Sequence, residues 1–538
     1  MAAHPEPDNK QDGPVAQQHE DVPNNILAQS ADQEEHVLGA WASLMAYPWA
    51  SAWCVYACWC VTLLGFDAQA AGAIVGIPQF RKDFGYEFEG EYVLPAYWQS
   101  LFNAAPVAAA TFASLASAEL SDRIGRKWVL AIALAFSYIA VAVEMVATTN
   151  EVFFAGKFIN GFMIGIIGTI MIGYIGEVSS SSRLLPLSRS GVFTVGVGVA
   201  YGIGPLLAFI VINYTGTADN AWAYRTVFAT QFGFAGVATL LWPFMPESPW
   251  WLARKNRRDA TIKALGRLGY TGDEGIKKLA LIEKTLDEVR AETEGTTYME
   301  CFRGSNLRRT LISIMPLIIQ IFSGITFVAG YFTYYLQLAG YDTQTSYRLQ
   351  IAQPVLSIVG NLMAASAIER VGRRNMTFYG LIILTIFLFI TGGLGTRTEK
   401  PMVEGTVAFI LIYSWWYNVS IGSTAFSLLA ETSTSRLRVK TVAIGYSLQS
   451  AFNVMWQFVI PYMFNPDKAN LGAKMAFIFG GICFFFIGYL FYFQPETAGR
   501  SYQELDEMFA KGVPSRKFKT YKTSMQMQAE EEPKKGEI

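Results

Sequence analysis

Leu120-Ser121-Asp122-Arg123-Ile124-Gly125-Arg126-Lys127 is a short, basic turn between two long apolar runs, 96–119 and 128–148. A second turn, Glu369-Arg370-Val371-Gly372-Arg373-Arg374, sits between the apolar runs 347–368 and 376–396. Both read acid, Arg, any residue, Gly, Arg, base. Glycine permits the tight reversal. The arginines stay in water, where they can pair with carboxylates at neighbouring helix ends. The tendency of cytoplasmic loops to be basic explains the arginines but not the matched order. A connector that recurs after about 250 residues implies that the second half of the chain repeats the first.

Of 538 residues, 52% are hydrophobic and 16% charged, against about 25% charged in an average soluble domain. The deficit is absorbed by long apolar segments of the length that crosses a bilayer. Twelve are expected, near 50–76, 96–119, 128–148, 152–176, 191–213, 224–245, 311–335, 347–368, 376–396, 405–428, 441–464 and 473–493. All are expected to be helices, because irregular backbone cannot face lipid. The net charge of −1 implies nothing about partners, and no basic face interleaved with aromatics points to nucleic acid. Cys54, Cys58 and Cys60 share one apolar run with no His or acid close enough to complete a metal shell, so membrane packing is expected there.

Orientation follows from the short loops. Those at 120–127, 177–190, 369–375 and 432–440 carry Arg126, Lys127, Arg183, Arg189, Arg373, Arg374, Arg436, Arg438 and Lys440. The loops at 214–223, 336–346 and 465–472 are nearly free of positive charge, while 77–95 is an exception that holds Arg81 and Lys82 beside several acids. Both termini are therefore expected on the cytoplasmic side, and Asn213-Tyr214-Thr215 becomes an extracellular glycosylation sequon lying very close to the membrane. Residues 1–45 are polar, without an apolar signal-peptide core, and are expected to form a disordered cytoplasmic tail. The expected organisation is an N-terminal six-helix half (46–246), a cytoplasmic linker (247–309), a C-terminal six-helix half (310–495) and a cytoplasmic tail (496–538). Within the linker, 256–268 and 276–293 show the helical spacing of amphipathic segments, separated by the Gly-rich stretch 269–275.

Two six-helix halves with matched basic turns resemble the major facilitator superfamily. Pro246-Glu247-Ser248-Pro249-Trp250-Trp251-Leu252 after span six and Pro495-Glu496-Thr497-Ala498-Gly499-Arg500 after span twelve narrow the resemblance to its sugar porter family. Gly65-Phe66-Asp67-Ala68-Gln69, Phe80-Arg81-Lys82-Asp83-Phe84-Gly85-Tyr86 and Phe327-Val328-Ala329-Gly330-Tyr331 are similar to strings of the fungal α-glucoside (maltose-type) permease branch. So are Ser435-Arg436-Leu437-Arg438-Val439-Lys440-Thr441 and Val513-Pro514-Ser515-Arg516-Lys517-Phe518. The resemblance spans residues 50–510 and implies an all-α membrane protein of twelve transmembrane helices in two pseudo-symmetric halves, of fungal origin.

Asp67 lies inside the first apolar run, where an ionised side chain costs roughly 2.5–3.5 kcal/mol or more unless paired. Lys157, near the start of span four, occupies the place of an Arg found in proton-coupled sugar porters. A carboxylate near a cation at mid-depth can gain and lose a proton as solvation changes. This pair is therefore the expected proton-coupling site, with a helix cap or a simple salt bridge as the alternative. Lysine is a departure, since a point charge lacks the planar fork of arginine. Leu64, where the α-glucoside branch often has a second acid, is another.

The charges Asp122, Arg123, Arg126, Lys127, Glu177, Glu369, Arg373, Arg374, Glu431 and Arg438 match the family's inner gate. Gln320 and Gln449 stand at sugar-contact positions, with Asn453 one helical turn beyond Gln449. Thr326, Val199 and Phe426 stand where the family has an asparagine, a glutamine and a tryptophan. These six are the expected substrate-binding residues. Ile321 and Ser450 replace a further glutamine and tryptophan. Fewer polar partners for hydroxyl groups make a hexose a poor fit.

The first expectation is a proton-coupled symporter of a sugar-like or other small organic solute, working by alternating access in the plasma membrane. The alternative is a transporter of the same fold that exports a less polar fungal secondary metabolite. A non-transporting nutrient sensor usually carries a long signalling tail, absent here. An enzyme lacks support, because all three histidines lie in the N-terminal tail and no nucleophile–base constellation is visible. The expected partners are a small-molecule solute, a proton and the lipid bilayer, with no nucleic acid, no cofactor and no metal, and the expected state is a monomer.

Overall fold

The computed structural model describes Met45, residues 47–179, 189–293, 295–397, 399–434 and 436–498, Arg500 and residues 502–523. Ser180, Arg183, the Glu369 side chain and almost all of the expected N-terminal tail lie outside the described residues.

Helices fall on all twelve expected spans. They are Pro48–Ile74, Ala96–Ile124, Arg126–Val146, Asn150–Ser179, Arg189–Thr215 and Trp222–Leu241 in the first half. The second half has Gly304–Phe322 continued by Ile325–Leu338, then Thr343–Val371, Arg373–Leu394, Lys400–Val419 continued by Ile421–Thr432, Arg438–Phe464 and Met475–Phe493. Ten helices among the described residues are long and apolar enough to cross a membrane by length and composition; spans ten and eleven fall short of that criterion. Most helices run a few residues beyond the apolar runs read from the sequence, because a helix need not end where the hydrocarbon does.

Spans seven and ten are interrupted. Gly324 takes a left-handed conformation (φ +93°) between the two parts of span seven. The Ser323 carbonyl left without a helical donor accepts from the Tyr413 hydroxyl at 2.7 Å. In span ten the break falls at Ser420, two residues before the Gly422-Ser423 pair, and the Asn418 carbonyl before the break accepts from the Ser423 hydroxyl at 2.6 Å. Broken helices persist in a bilayer only where side chains meet the freed backbone groups in this way.

The two basic turns adopt one conformation. Gly125 has φ +96° and ψ +166°, and Gly372 has φ +88° and ψ +150°, a region open essentially to glycine alone. The repeat seen in the sequence is thus a repeat of backbone geometry.

Two compact units divide the chain. The larger comprises the described parts of Tyr56–Gly173, Thr194–Phe244 and Gly295–Ile538, and the smaller those of Met1–Val55, Tyr174–Phe193 and Met245–Glu294. Within the smaller unit, Pro249–Arg254, Arg258–Arg267 and Asp273–Thr293 are helices, the latter two close to the amphipathic segments expected. Ser248 caps the first by accepting from Trp251 N, and Trp251, Leu252 and Ala264 form a small apolar core.

Two features of the larger unit were not legible in the sequence. The loop before span two contains the helix Pro78–Phe84 and a hairpin of β1 (Tyr86–Phe88) and β2 (Glu91–Val93), joined at Glu89-Gly90, both with positive φ, as a tight hairpin requires. After span twelve, the helix Tyr502–Ala510 packs Leu505, Met508 and Phe509 with Val513 and Phe518 against Ile312 of span seven.

Candidate functional site

A cavity of about 770 Å³ lies within the larger unit, lined from spans one, two, four, five, seven and eleven. Its polar wall holds Asp67, Gln69, Asn103, Lys157, Asn160, Tyr201, Thr326, Gln449, Asn453 and Gln457. Leu64, Val107, Ile164, Ile321 and Ile325 supply the apolar remainder.

The cavity runs toward the side of the basic turns. Its lining follows span two through Thr111, Ser114 and Leu115 to Ala118, just before the 120–127 turn, and includes Ile172 of span four and Ala443 of span eleven. The opposite side is sealed. Asn103 donates to the Tyr331 hydroxyl at 3.0 Å, Gln69 to the Ala329 carbonyl at 2.7 Å, and Ser100 to the Phe458 carbonyl at 2.7 Å. Spans one and seven touch there through Gly72, where an added Cβ would lie 2.9 Å from the Gly330 oxygen.

Beyond that seal, Arg81 of the Pro78–Phe84 helix is buried. It donates to the Val75 carbonyl at 2.9 Å and to Gln337 Oε1 at 2.7 Å, and its guanidinium lies over the Tyr334 ring. Gln337 returns a bond to the Gly76 carbonyl, and Tyr347 donates to the carbonyls of Gly76 and Gly216. Burial pulls the Arg81 pKa below its ordinary value, opposed by Tyr334, Tyr347 and Glu91. Arg81, an exception in the loop-charge pattern, is therefore a structural bridge between the halves.

Asp67 and Lys157 both line the cavity, each 1% exposed. Neither oxygen of Asp67 has a hydrogen-bond partner among the described residues. The Lys157 ammonium is 3.1 Å from Glu144 Oε2 of span three and lies over the rings of Phe153 and Phe228. Asn160 donates to the other Glu144 oxygen at 3.4 Å. Glu144, fully buried, was missed in the sequence reading. The signal was available, since an acid within the apolar run 128–148 deserves the same scrutiny as Asp67.

Of the six residues expected to bind substrate, Thr326, Gln449 and Asn453 line the cavity. Gln320 lies behind it, accepting from Gln449 Nε2 at 2.7 Å, so it orients Gln449. Val199 and Phe426 are not among the lining residues described; Phe426 is 41% exposed and stacks on Tyr446. Asn103, Asn160 and Gln457 supply polar groups the sequence reading did not count.

Several of the expected gate charges make contacts among the described residues. Asp122 pairs with Arg126 at 3.3 Å and Arg123 with Glu119 at 2.9 Å. In the second half, Arg373 pairs with Glu431 at 3.1 Å, and Thr497 donates to the other Glu431 oxygen at 2.6 Å. Glu496 Oε1 accepts from the backbone of Arg373, Arg374, Thr497 and Ala498, a carboxylate seated on the N-terminus of span nine. Glu177 and Arg438 are each partly exposed on a helix. Asn213 lies inside the span-five helix, its side-chain oxygen accepting from Gln344 at 2.9 Å.

A model of the family described as "Sugar (and other) transporter" matches residues 53–509. The maltose permease MAL31 of Saccharomyces cerevisiae is 28% identical over 92% of this chain and 81% of its own length. The alpha-glucosides permease MPH3 of the same species is 29% identical over 92% and 83%. Among solved structures, the inward open conformation of the xylose transporter XylE from E. coli superposes with a TM-score of 0.68, at 20% identity over 85% of this chain and 99% of that one.

Proposed function

This chain belongs to the sugar (and other) transporter family, and we propose that it carries an α-glucoside together with a proton by alternating access. It is a multi-pass membrane transporter of the major facilitator fold. The finer reading rests on the cavity, which lies within the size range of small-molecule sites and is sealed on one side. Its wall brings amide groups and the buried Asp67 carboxyl into one space.

Sugar hydroxyls need partners on leaving water. Asn103, Asn160, Gln449, Asn453 and Gln457 offer paired donors and acceptors on both halves of the chain. Their spread suits an elongated solute more than a single ring, and the similarity to permeases for maltose and alpha-glucosides supports that class. Asp67, unpartnered and nearly inaccessible, is held at least cost as a neutral acid and releases its proton when the cavity wets. Lys157 and Glu144 form a neutral pair beside it. Closing the Arg81 bridge on one side and the Arg126 and Arg373 clusters on the other would give the two states between which the halves rock. The plasma membrane, with both termini cytoplasmic, is the setting this reading implies.

The alternative of a less polar exported solute drew on Val199, Ile321 and Phe426. Ile321 lines the cavity and Val199 and Phe426 are not among its lining residues, while the amides of Asn103, Asn160, Gln449, Asn453 and Gln457 on the same wall favour the polar solute.

The test is expression in a fungal cell lacking sugar transporters, with external alkalinisation recorded on adding maltose, hexoses, polyols and organic acids. Maltose-evoked alkalinisation is expected, lost in Asp67→Asn at undiminished surface expression. Uptake without alkalinisation would reduce the protein to a facilitator. Silence across the panel would favour the exporter.

A further inference from the structure

We infer that Glu144 is the positioning residue that sets when Asp67 gives up its proton, by holding the Lys157 ammonium to itself. This rests on the coupling role of Asp67 proposed above. Three observations carry it. Lys157 faces the cavity beside Asp67, yet its ammonium is bonded at 3.1 Å to Glu144 behind the wall. Asn160, also on the wall, holds the second Glu144 oxygen. Gly156 makes room for this arrangement, since a Cβ there would lie 2.7 Å from Glu144 Cγ.

The charged groups that act most on Asp67 are Glu144 from span three and Lys157 from span four. With Lys157 on Glu144 the pair is neutral, and the whole cluster is neutral only while Asp67 keeps its proton. Loss of that proton to cavity water leaves the cluster with one net negative charge in a low-dielectric wall. Glu144 therefore favours the protonated form. Without it, the bare ammonium would pair with Asp67 and expel the proton, and an opposite charge at contact distance lowers a carboxyl's titration by about 1–3 pH units.

The readout is independent of the solute. Full-length protein in lipid nanodiscs is titrated while the C=O stretch of protonated carboxyls is followed by infrared difference spectroscopy. The band missing from Asp67→Asn identifies Asp67. Glu144→Gln is expected to move its midpoint down by about 1–3 pH units. The double variant Glu144→Gln/Lys157→Met, which removes the pair as a neutral unit, is expected to bring the midpoint back to the wild-type value or above. Should Glu144→Gln fail to fold, Gly156→Ala, which displaces the Glu144 side chain, is expected to give a smaller downward shift. An Asp67 band whose midpoint ignores these variants would overturn the inference and leave the coupling role intact. No band attributable to Asp67 at any pH would overturn the coupling role itself.

Discussion

Arg81 makes two charge-assisted hydrogen bonds and a ring contact where little water reaches it. Truncating it leaves Gln337 Oε1 without that donor, at a cost of about 1–3 kcal/mol to the sealed state. Arg81→Ala should therefore shift the population toward one open on that side. An impermeant thiol reagent applied externally should label Tyr331→Cys roughly tenfold faster or more in that background. The native cysteines interfere little, since four of the five are buried and Cys58 is partly so. An unchanged rate would mean that Arg81 does not hold the seal. Asn213 gives a second residue-level outcome. Its side chain is bonded to Gln344 and its backbone is helical, so peptide-N-glycosidase treatment should leave the electrophoretic mobility of protein made in yeast unchanged.

At the scale of elements, the turn before span nine joins three requirements. Gly372 takes a backbone conformation nearly closed to other residues. A Cβ there would lie 2.5 Å from Glu496 Oε2, and that carboxylate satisfies the first amides of the next helix. Gly372→Ala should cost about 1–3 kcal/mol and lower the Tm of the purified protein. Glu496→Gln should cost less, because an amide oxygen still accepts those bonds without the full charge. The reverse order would contradict the geometry. The two basic turns and the apolar runs made this architecture legible, because bilayer thickness fixes span length and glycine marks the reversals. The break in span seven was hidden because Ser323-Gly324 sits within a continuous apolar pattern, and its support by Tyr413 comes from a span 90 residues away. The docked helix Tyr502–Ala510 was hidden for a related reason. Its apolar face answers Ile312, with Arg309 pairing to Asp506, across a sequence distance that no local periodicity reports.

For the whole molecule, candidate residues were legible one at a time, but their grouping was not. Asp67 and Lys157 do share a wall, while Lys157 is bonded to Glu144 instead. Val199 and Phe426 were expected at the substrate site, yet neither is among the cavity-lining residues, Phe426 instead stacking on Tyr446, which is. Asn103 and Asn160 read as ordinary polar residues within apolar helices until the fold placed them on one cavity. The proposed alternation between states would depend on the close crossing of spans one and seven at Gly72 and Gly330. Gly72→Leu would place bulk where the Gly330 backbone sits at contact distance, so it should disfavour the sealed state and slow maltose exchange severalfold, read by counterflow.

The most direct test of a proton-coupled carrier is concentrative uptake. Purified protein is reconstituted into liposomes, an acid-outside pH gradient is imposed, and radiolabelled maltose is followed with time. Wild-type protein should accumulate maltose above the external concentration and lose the excess when an uncoupler collapses the gradient, whereas Asp67→Asn should only equilibrate. Accumulation by Asp67→Asn equal to wild type would contradict the assignment of the proton to Asp67, and equilibration by the wild type would contradict coupling altogether.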